Sequence, residues 1–566
     1  MVFLGRSPSS RERGANEARD SSTAIPRLKP HFRPASHIAS MSRMPPPFRR
    51  RATALALALC TVFSFPRPAV SHPLADLEIG DPLERELRLL DVIAPELRGN
   101  TIALSHLHTR PLLRDVFSAE SLSVAARGLA RDSWIRIGRG LGRDAVAVAE
   151  DSRPRSTPYA LRVDGADLTR FDLSPGLEGG AATDRDSTRW ANGSGVQLRA
   201  ALGVHRWIAQ LHLLIGEEAG AQSFTDPVIG NSDVILQADQ ALVGYIAPQD
   251  RFGFRLGRSR FHWGPGYGGS LLLSGTAPPL TAFEYHFGLA GGRLRLTALS
   301  ATVAAAAGEQ LAAHRIEWQA TDALRLGASE SARYHASGWS PLYTIGLIPY
   351  SLVQRLQTED EPDSAEALRN NVMISLDAAW RVANGTRLYG ELLVDDLHSR
   401  TSDNPDKLAY QVGWDGVGNL YGTRLSWNGE YTRLSRYVYT SFFGREAASQ
   451  GIPLGFPTGP DASRLTLDMR WDPSADWQVI ALAARTEKGE NDLGEPFVPG
   501  SPRPPIWTFE GVLERARSAE LGLRWWPAGG VDAAVTGGYE WRENVNHVSG
   551  VDRHGAIGSI TLNLHR

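Results

Sequence analysis

Glu391, Asp395 and Asp396 are the carboxylates of this chain that stand closest to a catalytic spacing, that of an acid and a nucleophile flanking a glycosidic bond. They lie in an alternating segment, where adjacent side chains point to opposite faces, so Asp395 and Asp396 cannot share one bond unless a bulge intervenes. A wall charge followed by a loop-edge charge is the simpler reading. No Gly-x-Ser-x-Gly elbow, phosphate loop or His-Glu-x-x-His helix is present, and the histidines lack ligand spacing. His262 reads as a turn residue, and no catalytic residue, metal or cofactor is expected. Binding chemistry is better represented. The polar parity of the chain is rich in Arg, with Asp, Glu, Asn and Gln, a surface able to pair with carboxylates and hydrogen-bond hydroxyls. Trp263, Tyr267, Trp339, Tyr343 and Tyr350 offer flat faces on which sugar rings could stack.

The elements that must position these groups are strands. From about residue 159 onward, segments of period two are separated by Gly, Pro, Asp and Asn. Val372, Ile374, Leu376, Ala378 and Trp380 alternate with Asn371, Ser375, Asp377 and Arg381. Leu388, Gly390, Leu392 and Val394 oppose Arg387, Tyr389, Glu391 and Asp395, with Leu393 as the exception. Leu425, Trp427 and Tyr431 oppose Arg424, Ser426, Asn428 and Glu430, and Leu465, Leu467, Met469 and Trp471 oppose Arg464, Thr466, Asp468 and Arg470. Many segments run nine to twelve residues, longer than an ordinary soluble strand and long enough to cross a bilayer when tilted. Trp380, Trp471, Trp525 and Trp541 sit near segment ends on the apolar parity, as an interfacial girdle requires. No stretch of the mature chain approaches the run of about 18 apolar residues that a membrane helix needs. The pattern predicts an all-β transmembrane antiparallel β-barrel of about 18 strands, an even number being the rule for single-chain bacterial barrels.

One stretch breaks the alternation. Phe254 to Gly275 runs into His262-Trp263-Gly264-Pro265-Gly266-Tyr267-Gly268-Gly269, with four glycines and a proline in six positions, and leaves through Leu271-Leu272-Leu273. Gly tolerates positive φ and Pro fixes φ, so the chain must turn sharply. The Trp263 to Gly266 corner and the run Ser270 to Ser274 resemble the capsule assembly Wzi family of outer-membrane proteins. Further matches stand in order: Ala313-His314-Arg315-Ile316-Glu317, Gly327-Ala328-Ser329-Glu330, Tyr389 to Asp396, and Pro453-Leu454-Gly455 ahead of Gly459-Pro460-Asp461. Gly275-Thr276 departs from the paired asparagines usual there. The resemblance implies an eighteen-stranded barrel, an amino-terminal helical bundle at its periplasmic mouth, and binding of capsular or exopolysaccharide at the cell surface without chemistry. Arg258, Arg260, His262, Trp263, Tyr267, Glu330, Glu391, Asp395 and Asp396 are the expected polysaccharide-binding residues.

The amino terminus is organised differently. Residues 1–43 are polar, aperiodic and consistent with an over-extended start, with translation beginning at Met41 or Met44. Residues 44–71 carry a basic stretch, an apolar run Ala52 to Phe65 and the small-residue site Ala69-Val70-Ser71, which together read as a cleaved signal peptide. Cys60, the single cysteine, lies in that segment, so the mature chain would contain no thiol. Residues 72–150 form the expected helical bundle. Asp81-Pro82 is a cap followed by a first-turn proline, and Leu83, Leu87, Leu90 and Ile93 form one stripe. Further helices are expected near Pro111 and over Ser118 to Leu129, and residues 151–566 form the barrel.

With 60 basic and 62 acidic residues the chain lacks the basic excess of a nucleic-acid binder. The expected partners are capsular or exopolysaccharide, outer-membrane lipid and, during biogenesis, the barrel assembly machinery, with the chain a monomer. A porin or substrate-selective channel would share the fold, differing in an open lumen. An outer-membrane enzyme acting on glycans would need the converging carboxylate pair that the pattern does not supply.

Overall fold

The computed structural model describes residues 82–93, 168–184, 187–204, 206–217, 235–247, 251–360, 369–397, 404–527 and 531–564. The expected signal peptide with Cys60, the second and third expected helices and the terminal His565-Arg566 lie outside them. Eighteen antiparallel strands form one sheet. They are β1 (Leu168–Asp184), β2 (Ser187–Val204), β3 (Trp207–Glu217), β4 (Ile235–Ile246), β5 (Phe252–Ser259), β6 (Leu280–Leu289), β7 (Leu294–Ala304), β8 (Glu309–Gln319) and β9 (Leu324–His335). The second half comprises β10 (Asn371–Ala383), β11 (Thr386–Asp396), β12 (Lys407–Leu420), β13 (Thr423–Leu434), β14 (Ala462–Ser474), β15 (Trp477–Lys488), β16 (Glu514–Trp525), β17 (Val531–Glu543) and β18 (Arg553–Leu564). Each strand pairs with its sequence neighbours, and β1 pairs with β18 as well as β2, for example Gly179 opposite Ile560. The sheet therefore closes on itself and leaves no edge.

Alternation decides the two walls. Ile374, Leu376, Leu388, Leu392, Val412, Leu465 and Leu467 are exposed on the outside, while Ser375, Asp377, Glu391, Gln411, Arg424, Ser426 and Glu430 are buried inside. Turns at one end are short. Tyr421 and Gly422, at φ 52° and 82°, make the two-residue turn between β12 and β13, both in the conformation that suits strand twist. The opposite end carries the long connections 260–279, 336–370, 435–461 and 489–513. In single-chain outer-membrane barrels the short turns are periplasmic and the long loops extracellular. A helix, α1 (Pro82–Ile93), forms where the Asp81-Pro82 step predicts it, and its Arg85, Glu86 and Arg88 reach lumenal groups.

Part of the lumen, on the side of β6 to β13, is apolar. Leu299, Ala301, Leu311, Ala313, Met373, Leu393 and Ala409 from the wall enclose Trp263, Leu271, Leu272, Leu273, Tyr439, Leu454 and Phe456 from the loops. Leu393, the exception to its strand's alternation, is thus an inward position with an apolar neighbour. Fully burying each leucine contributes roughly 1.5–3 kcal/mol, so the loop that carries three of them is anchored as a core element.

Candidate functional site

The connection between β5 and β6 turns into the barrel. Trp263 N–H donates to Leu273 O at 2.9 Å, closing the descending and returning arms into a narrow finger. Its sides are bonded to the wall: Ser270 Oγ lies 3.0 Å from Glu391 Oε1 and also donates to Trp263 O, and Gln411 donates to Gly269 O at 3.1 Å. At the tip, the N–H groups of Tyr267 and Gly268 both donate to Glu430, at 2.8 and 3.0 Å, and the Tyr267 hydroxyl donates to Asp415 at 2.6 Å. Glycine is required by space here. A Cβ on Gly264, at φ 154°, would stand 2.6 Å from Glu391 Oε2, and one on Gly266 would stand 2.1 Å from Gly269 O.

The finger meets α1. Arg88 donates to Pro265 O and Gly266 O, both at 3.0 Å, and its guanidinium lies 4.6 Å from the centre of the Tyr267 ring. The helix is held below by Glu86, bonded twice to Arg424 at 2.8 and 2.9 Å, and by Arg85, 2.9 Å from Asp468. Arg424 also reaches Asp472 at 2.5 Å. Finger and helix together lie inside the lumen against the wall formed by β11 to β14.

Other inward arginines are likewise engaged from within. Arg315 grips Asp377 at 2.6 and 3.1 Å, and Arg387 grips Asp415 at 3.0 and 2.7 Å. The arginine-rich wall expected to meet ligand carboxylates therefore meets the barrel's own, two strands away for Arg315 and one strand away for Arg387. Burial, and then the Arg88 charge, push His262 down to about 3, while the Gly275 N–H donates to its Nδ1 at 3.2 Å. The imidazole is neutral, with its proton on Nε2. Burial raises the Tyr267 phenol far beyond its ordinary value, so it remains a donor.

The nine residues expected to bind polysaccharide separate into distinct places. Arg258 donates to Ala238 O, and Arg260 pairs with Asp239 at 3.0 Å. Asp239 is the extra residue where β4 bulges against β3, which turns its carboxylate toward the loop. His262, Trp263, Tyr267 and Glu391 belong to the finger and its clamp, and Trp263 is only 3% exposed, leaving no open face for a sugar ring. Asp395 accepts from Tyr439 N–H at 2.7 Å, and Asp396 from Asn404 at 2.6 Å. A bulge does fall between Val394 and Asp396, yet both carboxylates are occupied by loop donors. Glu330 faces outward and accepts from the N–H groups of Tyr350 and Ser351. Tyr343 and Tyr350 are buried. The exposed loop aromatics lie elsewhere: Phe442 and Phe443, 56% and 55% exposed, stand perpendicular at 5.4 Å with Arg369 beside them, while half-exposed Trp507 packs on Tyr410 of the outer wall at 5.3 Å. Sequence reasoning passed over this pair because nothing in Phe442-Phe443-Gly444 distinguishes a presented aromatic from a packed one.

Residues 236–556 match the family described as capsule assembly protein Wzi. The chain belongs to that family. Among solved structures it is similar to Wzi of Escherichia coli, described as an outer membrane protein involved in group 1 capsule assembly and a carbohydrate-binding β-barrel. That likeness has 16% identity, covers 87% of this chain and 99% of that one, and reaches a TM-score of 0.57. Pseudomonas aeruginosa OprD is similar at 8% identity over 71% of this chain and 97% of its own, with a TM-score of 0.38. Pseudomonas putida OprB gives 11%, 75%, 98% and 0.37. No curated relative matches. Family membership and the barrel place the chain in the outer membrane.

Proposed function

We propose that this protein binds capsular or exopolysaccharide at the cell surface and holds it there, as a lectin-like scaffold. The observation that best supports the reading is the contact of Arg88 with Pro265, Gly266 and Tyr267, where finger and helix meet inside the barrel. A conduit would need that contact to part. A surface scaffold gains from it, because the finger is tied to the loops above: Tyr439 OH donates to Leu271 O at 2.6 Å, and Ser274 N–H to Leu454 O at 2.7 Å. Exposed Phe442 and Phe443 would then be rigidly held faces for sugar rings. Repeated weak contacts with a polymer add up to retention. No bond is made or broken in this role. The chain acts as a monomer, inserted by the barrel assembly machinery behind the signal peptide.

Deleting the protein would shed polysaccharide into the medium without stopping its synthesis, whereas unchanged retention would refute the role. Phe442→Ala with Phe443→Ala is expected to weaken binding of purified protein to immobilised surface polysaccharide several-fold. Unchanged binding would remove the aromatic site while leaving the scaffold reading open.

A further inference from the structure

Polar residues stand on the outer face of β7, β8 and β9, where the alternation calls for apolar ones. Ser300, Thr302, Gln310, His314 and Glu330 share the outward parity of Leu296, Ile316 and Ala328. In hydrocarbon each would need a partner from the protein itself. The connection between β9 and β10 supplies it. Two helices, α2 (Pro341–Ile345) and α3 (Tyr350–Asp360), fold back against the outside of the barrel. Ser300 bonds Thr344 at 3.0 Å, Trp339 Nε1 donates to Thr302 at 3.2 Å, and Gln310 donates to Ala336 O at 3.5 Å. Glu330 accepts the first two N–H groups of α3 at 2.8 and 3.1 Å, and Tyr285 donates to Ile345 O. Beneath the hairpin, Ala312, Ala332, Tyr334, Tyr343, Tyr350 and Val353 form a separate core outside the wall.

The hairpin also reaches deep. A Cβ on Gly346 would touch Ala298 and His314, and His314 is the central residue of the eleven in β8. At about 3.4 Å per residue and a tilt near 40°, β8 spans roughly 29 Å, slightly more than the ~25 Å apolar band of such barrels, so Gly346 sits near mid-depth. The outward surface of the hairpin is mostly apolar: Leu342, Ile345, Leu347, Leu352 and Leu356 are all exposed, Leu347 to 67%, with Arg355 an exposed charge on α3, whose long stem can carry its head toward the membrane surface. It continues the belt formed by Phe287, Ile316 and Trp318 below it and by Ile374 and Leu376 beside it, all exposed.

We infer that the β9–β10 hairpin is an intramembrane element that seats in the outer leaflet against lipid acyl chains, replacing a polar sector of the barrel wall with its own leucine face. It is not a surface loop awaiting polysaccharide. The test uses the full chain with Cys60→Ser, carrying Leu347→Cys or Leu352→Cys labelled with bimane and reconstituted in phosphatidylcholine vesicles. Leu376→Cys serves as the belt reference and Phe443→Cys as the aqueous one, and heat-modifiable migration confirms that each variant is folded. Lipid carrying a mid-chain doxyl group is expected to quench position 347 as strongly as position 376, with iodide ineffective. Iodide quenching at the level of position 443 would overturn the inference. So would shielding from doxyl together with an intermolecular disulfide between copies, which would assign the face to a second molecule of the chain.

Discussion

The guanidinium of Arg424 holds the carboxylate of Glu86 through two hydrogen bonds, 2.8 and 2.9 Å, across 338 residues of chain, with both side chains almost wholly buried. Breaking a buried pair by removing one partner strands the other charge, at a cost of about 3–5 kcal/mol. Glu86→Ala should therefore loosen α1 without unfolding the barrel, since Arg424 retains Asp472. Labelling of a cysteine placed at buried Leu89 should accelerate by two orders of magnitude or more, while heat-modifiable migration is kept.

Finger and helix meet inside the lumen, Arg88 bonding Pro265 and Gly266, so each is expected to restrict it and neither removal alone should give a wide pore. Excising residues 264–272 and joining Trp263 to Leu273, already bridged, through two glycines removes the finger. Truncation through Ile93 removes the helix. Planar-bilayer recordings are expected to show little current from the intact protein, small steps from either single variant and a porin-sized conductance only from the combination.

Gly264→Ala would drive a methyl group against Glu391 and Ser270, both 2.6 Å from the ideal Cβ position, at a backbone angle that L residues seldom adopt. A loss of about 1–3 kcal/mol is expected, seen as a lower temperature for loss of the compact form. Gly338→Ala, with no atom within 4 Å, should be neutral.

His262 is expected to make the finger acid-labile. Its folded pKa is about 3, against an ordinary value of 6.5, so between those limits the unfolded chain binds the proton and the folded one does not. The contribution of this group is fully present above pH 6.5, falls as the pH drops, and is lost near pH 3. One unit is worth about 1.4 kcal/mol, so the penalty near pH 4.5 is roughly 3 kcal/mol. His262→Asn keeps an acceptor for the Gly275 N–H and should flatten the difference in acid stability between the two proteins, measured by thermal melts from pH 7 to about pH 4.

Glu330→Gln keeps the shape but removes the charge that caps α3. Hydrogen bonds to a charged group contribute about 1.5–3 kcal/mol. Proteolysis within residues 336–370 should quicken several-fold, with the barrel itself resistant.

The barrel was legible in the sequence because its physics is local. Each strand needs one wall for hydrocarbon and one for the interior, and that requirement is written residue by residue in segments such as Asn371 to Arg381 and Arg464 to Trp471. The first helix was legible for the same reason, through its Asp81-Pro82 start. The sharp turn at Trp263 to Gly269 was visible from Gly and Pro alone, but its direction was not. Whether such a corner points into solvent or into the barrel depends on Glu391, Gln411 and Glu430, which are 121 or more residues distant and gather only when the sheet closes.

The site was less legible, because residue type does not reveal who pairs with whom. Arg315, Arg387 and Arg424 look like ligand-binding cations along the chain and prove to be neutralised by carboxylates one or two strands away. Glu330 fits the outline of a polar contact residue, yet it faces the membrane side and is tolerated there only because a helix start covers it. Sequence by itself determined the number of walls, their chemistry and the family. Tertiary structure decided what fills the cylinder and what clothes it, since both depend on hydrogen-bond partners that burial alone brings within reach.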